Sequence, residues 1–194
     1  MCATLAFASP PRVRRAPALL DARELWVPRF APSASSARRV AEADTPSIRT
    51  GDAWALRGAS LAVWRGEVVC VAGSDLAALD ALLDCLAGAT PAGGAVRARA
   101  AWWRAGLLLR PRSSGDACAG EASLTARLCD AVRRRPSDGA VVCALVLPDQ
   151  PATWDALARV AARVMHAAPV RCVRLAGGRV LPPPRSVDPS HGRS

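Results

Sequence analysis

Apolar and polar positions change period several times along the chain, and each change marks an element. From Leu19 to Val27, and again from Trp54 to Trp64, apolar residues alternate with polar ones, the pattern of strands with one buried face. Arg65-Gly66 then turns the chain into Glu67-Val68-Val69-Cys70-Val71-Ala72, a continuous apolar run that predicts a strand covered on both faces. Leu79, Leu82, Leu83 and Leu86 recur at helical spacing, so a helix is expected from about Asp80 to Ala87, stopped by Gly88. After the turn Pro91-Ala92-Gly93-Gly94, two short strands are expected at Val96 to Trp103 and Gly106 to Arg110, followed by a polar loop from Arg112 to Gly120. Glu121 to Arg135 reads as a helix and Ala140 to Leu147 as a second strand buried on both faces. Thr153 is expected to cap a helix reaching about Ala167, with Trp154, Leu157, Val160, Ala161 and Val164 on one face. Val170 to Leu175 is a further strand, with Gly177-Gly178 as a hairpin turn into Arg179-Val180. Buried strands alternating with helices predict an α/β layered core with parallel strands, plus a small antiparallel part from the N-terminal strands.

Three segments lack this periodicity. Residues 1–18 read as a disordered leader, in which the apolar patch precedes Arg12, Arg14 and Arg15, the reverse of a secretory signal. Residues 28–52 are rich in Ala, Ser, Arg and Pro and read as a loop or insertion, while 182–194 open with three prolines and read as a tail. One domain over 19–181 is therefore expected, and 51% hydrophobic residues in a 194-residue chain suffice for its core. No apolar run is long enough to span a bilayer as a helix.

Charge and cysteine content narrow the function. All 26 basic residues are arginine, lysine and asparagine are absent, and the net charge is +10. Such a balance suits an acidic protein, nucleic acid or an anionic lipid surface. Apart from Arg133-Arg134-Arg135 and an acid-free stretch with Arg97, Arg99, Arg104, Arg110 and Arg112, the arginines are dispersed, as on a solvated basic face. With six Trp, two Phe and no Tyr, few rings could stack on bases, which disfavours nucleic acid. The seven cysteines form no C-x-x-C pair. Cys70, Cys143 and Cys172 fall in apolar runs and Cys85 on the apolar side of a helix, where they act as small buried hydrophobes. Such an odd, scattered set points to a reducing, cytoplasmic compartment. Of the two histidines, His166 near a helix end reads as structural and His191 lies in the tail, so no metal site is expected. No G-x-S-x-G elbow or paired histidine and nucleophile supports an unrelated hydrolase.

One motif carries chemistry by what it lacks. Gly73-Ser74-Asp75-Leu76-Ala77-Ala78-Leu79-Asp80 keeps the first glycine of G-x-x-x-x-G-K-[ST] and none of the residues after it. On its own it also fits an ordinary strand-to-helix turn, with Asp75 or Asp80 as the helix cap. Its flanks add to the picture: Ala55-Leu56-Arg57-Gly58-Ala59-Ser60-Leu61-Ala62-Val63 and Gly66-Glu67-Val68-Val69 before it, Leu82-Leu83 and Leu86-Ala87-Gly88 after it. Together, over Leu19 to about Arg110, this resembles the N-terminal core of ABC transporter ATP-binding subunits. Leu145-Val146-Leu147-Pro148-Asp149-Gln150-Pro151 is similar to the family's second nucleotide motif, and Val173 to Val180 to its terminal hairpin.

The resemblance implies a P-loop NTPase-like fold and an ancestral activity, ATP binding and hydrolysis coupled to membrane transport. It also implies a permease and an intact ATP-binding subunit as partners, a homo- or heterodimer, and a place at the inner face of the membrane. At each chemical position the chain departs from the family: Ala78 stands for the second loop glycine, Leu79 for the lysine and Asp80 for the magnesium-binding hydroxyl. Arg110 likewise stands for a glutamine and Gln150 for the glutamate that activates water. No signature segment precedes Asp149, the helical subdomain is reduced or missing, and the span after Asp149 is too short for a strand ending in the family's switch histidine. Little or no ATPase activity is therefore expected, with weak binding of ATP and magnesium or none. Gly73 to Asp80 and Asp149 are the residues placed to touch nucleotide, and Trp26 or Phe30 to stack on adenine. If the backbone still forms a cradle, Ala78→Gly, Leu79→Lys and Asp80→Ser together are expected to raise nucleotide affinity. The alternative is a non-catalytic regulatory or interaction module whose arginine surface engages an acidic protein or nucleic acid.

Overall fold

The structure, a computed structural model, describes residues 17–29, 53–110, 120–166 and 168–182. Most of the expected leader, insertion, polar loop and tail, together with Phe30 and Ala167, lies outside the described residues. The order of elements is β1 (Leu20–Pro28), β2 (Trp54–Val63), β3 (Val68–Gly73), α1 (Leu76–Leu86), β4 (Gly93–Ala98) and α2 (Ala100–Ala105). β5 (Gly106–Leu109), α3 (Glu121–Arg133), β6 (Ala140–Val146), α4 (Pro151–Val164), β7 (Val170–Ala176) and β8 (Arg179–Leu181) follow.

The strands form two sheets. The first is antiparallel, ordered β2-β1-β4, and the second is ordered β5-β6-β3-β7-β8, with β5, β6, β3 and β7 parallel and β8 antiparallel at the edge. The two strands read as buried on both faces, β3 and β6, are neighbours, paired from Val68↔Val141 to Gly73↔Val146. Their apolar residues divide by period two. Val69, Val71, Val142 and Ala144 face a core shared with α1 and the antiparallel sheet. Val68, Cys70, Ala72, Val141, Cys143 and Leu145 face α3 and α4. The fold is thus α/β in layers, with a mixed, mostly parallel sheet at its centre.

Local chemistry shifted several boundaries. α1 starts at Leu76, four residues before the expected Asp80, because the Asp75 carboxylate caps it by accepting from Ala78 N at 3.2 Å. The expected strand Val96 to Trp103 is β4 followed by the short helix α2. Trp102 turns inward there, and its indole N–H donates to Leu86 O at 3.1 Å. Thr153 does not cap α4. Gln150 is the N-cap residue and Pro151 opens the helix, where its fixed φ fits and its missing N–H is not needed. Gly177 and Gly178 turn β7 into β8 at φ of 54° and 74°, a left-handed pair that favours glycine. This hairpin also ties the sheets together, since Gly178 O accepts from Arg57 N of β2 at 2.8 Å. Among the described residues no helix is long and apolar enough to cross a membrane.

Candidate functional site

In a parallel α/β sheet, ligands bind outside the carboxyl ends of the strands, where successive connections leave in opposite directions. β3 meets that condition: its neighbours are β6 and β7, and Gly73, the end of β6 and the start of α4 all lie at this edge. The expected site residues Gly73, Ser74, Asp75, Asp149 and Gln150 therefore converge on one end of the sheet. Between Gly73 and α1 only Ser74 and Asp75 remain, a tight turn instead of an eight-residue loop.

That shortening decides where the other expected residues go. Leu76, Ala77, Ala78, Leu79 and Asp80 all belong to α1, and Ala78 and Leu79 are fully buried in its contact with the antiparallel sheet. Leu79 occupies a core position and not a place at the mouth of a cradle. Gly73 has its own packing reason, because a Cβ there would lie 2.5 Å from the carbonyl oxygen of Leu175 on the adjoining strand. The glycine serves close approach of backbone to backbone. Asp80, weighed as a cap, stands a turn inside α1 and meets Arg110 at 3.5 Å, and the same guanidinium pairs with Asp84.

The two carboxylates that do face the edge are each matched to an arginine. Arg29, just beyond β1, donates to Asp75, whose other oxygen caps α1. Arg174, on β7 beside Ala72, donates to Asp149, and the Trp154 indole adds a second hydrogen bond at 3.2 Å. The Arg174 hydrogen bond holds the Asp149 carboxyl below its usual range, with Trp154 assisting and desolvation opposing. Neither Arg29 nor Arg174 was singled out from sequence; the pairs span 46 and 25 residues, beyond any local motif. Trp26 packs edge-on to Trp54, ring centroids 5.6 Å apart, and keeps 37% of its surface exposed. Gln150 makes no side-chain capping bond and is exposed, with α4 starting immediately after it.

The arrangement has a definite electrostatic character. A phosphate at the start of α1 would meet the Asp75 carboxylate already bonded to Ala78 N and set against the helix's partial charge, with Arg29 neutralised by the same carboxylate. Displacing that carboxylate is a cost that an intact phosphate loop does not bear. Among the described residues no group of three or more His, Cys, Asp or Glu could hold a metal ion. His166 is exposed at the end of α4 and lines an open groove of about 570 Å³ with Cys129, Arg133 and Arg163, away from this edge. No protein-family model and no curated protein matches the chain.

Proposed function

We propose that the chain is a degenerate ABC-type ATP-binding domain that has kept the architecture and given up hydrolysis. It works at the cytoplasmic face of a membrane as the silent half of a heterodimer, beside a permease and an intact ATP-binding subunit, to which it contributes shape. One observation carries this reading. The strand ends bearing Gly73 and Asp149 are adjacent, yet both carboxylates there are engaged internally, Asp75 in a cap and with Arg29 and Asp149 with Arg174 and Trp154, while Leu79 is in the core. Phosphoryl transfer needs a cation, a metal ligand and a positioned water, and lacking all three together predicts no turnover.

The test is co-expression of the tagged chain with the products of its flanking genes. Stoichiometric recovery of a multispanning membrane protein and an ATP-hydrolysing subunit supports the reading. A chain that purifies alone beside well-expressed neighbours contradicts it.

A second reading, an arginine-surface interaction module, rests on Arg99 and Arg104, exposed around α2 and in no ion pair with a described residue. Salt-sensitive binding of an acidic peptide, lost in Arg99→Ala/Arg104→Ala and indifferent to nucleotide, would favour it over the first.

A further inference from the structure

Three cysteines form a row across the centre of the parallel sheet. Cys70 of β3 is the direct register partner of Cys143 on β6 and of Cys172 on β7. Residues paired in this way project to the same face of adjoining strands, which lie about 4.8 Å apart. Here that face is the one covered by α3 and α4, where Cys70 and Cys143 are core and Cys172 packs against it. Cys172 differs from the other two in being half-buried. The edge strand β8 pairs with β7 only from Arg174 to Ala176, so it does not reach the outer side of Cys172. The row therefore has an accessible end and a buried interior.

The two ends of that contact are chemically unequal. Hydrogen bonding with the Cys70 thiol holds the Cys172 thiol below its usual value, although burial opposes this. Cys85, on the opposite face of the sheet, is shifted the other way, because burial pushes its thiol up and Asp84 adds to the shift. The thiol of the row nearest solvent is thus the one shifted toward the thiolate, with Cys70 behind it in register on the neighbouring strand.

We propose that Cys172 and Cys70 form a dithiol site for hydroperoxides, with Cys172 as the attacking thiol and Cys70 as the resolving one. In the first step the Cys172 sulfur takes the terminal peroxide oxygen, the O–O bond breaks, and the alcohol or water leaves with the proton; sulfur loses two electrons and becomes a sulfenic acid. In the second step the Cys70 sulfur attacks that sulfur, the S–O bond breaks, and hydroxide leaves as water with the Cys70 proton, giving the disulfide. The sum is two thiols and one hydroperoxide to one disulfide, one alcohol or water, and one water. In-register Cα atoms about 4.8 Å apart fall inside the disulfide range of roughly 4.4–6.8 Å. Parallel Cβ directions keep the Cβ separation near the strand spacing, a few tenths of an ångström beyond the usual range of about 3.5–4.5 Å, so the two strands must close slightly to form the bond. A bond formed there is strained and easily reduced, which suits a reversible site better than a structural staple.

The experiment titrates the full, reduced chain with hydrogen peroxide, blocks remaining thiols, and maps peptides without reduction. The expected product has lost two hydrogens, links the Cys70 and Cys172 peptides within one chain, and returns to dithiol on treatment with dithiothreitol. Cys70→Ala is expected to accumulate a dimedone-trappable sulfenic acid at Cys172, while Cys143→Ala still forms the disulfide. The map of the unaltered chain decides the question without any variant, should a core substitution fail to fold. Cys172 remaining reduced while Cys129, or Cys2 or Cys118 outside the described residues, oxidises first would overturn the proposal, as would a disulfide joining any other pair.

Discussion

A lysine at position 79 asks directly whether the segment after β3 is a phosphate loop or the first turns of a core helix. Leu79 is 0% exposed and packs among β1, β2 and the central sheet. An ammonium there must either desolvate or lose its proton. Buried lysines are depressed by about 3–5 pKa units at about 1.36 kcal/mol each, so Leu79→Lys should cost about 4–7 kcal/mol, of which a stem snorkelling toward the sheet edge recovers part. Domains of this kind have about 5–15 kcal/mol in all. Urea unfolding followed by tryptophan fluorescence, with a slope of about 1–3 kcal/mol per molar, should show the midpoint falling by about 1 M or more. Leu79→Met, similar in volume and uncharged, should cost less than about 1.5 kcal/mol. Ala78→Gly adds about 1 kcal/mol within the helix, so the triple change to Gly, Lys and Ser at 78–80 should lower the midpoint further and yield no nucleotide affinity. An unchanged midpoint in the triple variant, together with new ATP binding, would show that residues 76–80 leave the helix and that the core placement of Leu79 is wrong.

Glu67 accepts from Arg171 Nε at 2.6 Å and Trp64 N at 3.1 Å while only 8% exposed, with the Arg171 guanidinium 5.0 Å from the Trp64 ring centroid. Glu67→Ala should cost about 2–4 kcal/mol by the same unfolding assay, below the full cost of breaking a buried pair because the Arg171 side chain stays 34% exposed. Gly73→Ala should destabilise by about 1–3 kcal/mol, since its Cβ would press to 2.5 Å from the Leu175 carbonyl oxygen. The folded-state pKa of Asp149 is depressed, so its contribution to stability is complete above the ordinary carboxylate value of about 3.9 and fades as pH falls through the lowered value. Arg174→Met should move the Asp149 carboxyl, followed by NMR, up toward that ordinary value; an unmoved titration would deny Arg174 its part.

Strands β3 and β6 were legible because twelve of their thirteen residues are valine, alanine, cysteine or leucine in unbroken runs, a pattern that only a strand covered on both faces tolerates. The start of α1 was obscured by the resemblance, which assigns 73–80 to a loop, although Asp75 three residues before Ala78 is itself a capping signal. Tryptophans and alternation made Ala100 to Trp103 look like strand. The six-residue helix there is too short to display its own period, and what decides it is Trp102 reaching Leu86, sixteen residues back. Convergence of Gly73 and Asp149 followed from reading both buried runs as neighbours. The arginines that neutralise this edge did not, because Arg29–Asp75 and Arg174–Asp149 are brought together by sheet order alone.

Isothermal titration of magnesium ATP into the purified chain, with phosphate release followed on the same sample, tests the central claim most directly. The account predicts no saturable heat up to about 1 mM ATP, which corresponds to binding weaker than about −4 kcal/mol, and no magnesium-dependent phosphate release above that of Asp149→Ala. Saturable binding in the micromolar range, or hydrolysis that disappears in Asp149→Ala, would contradict it.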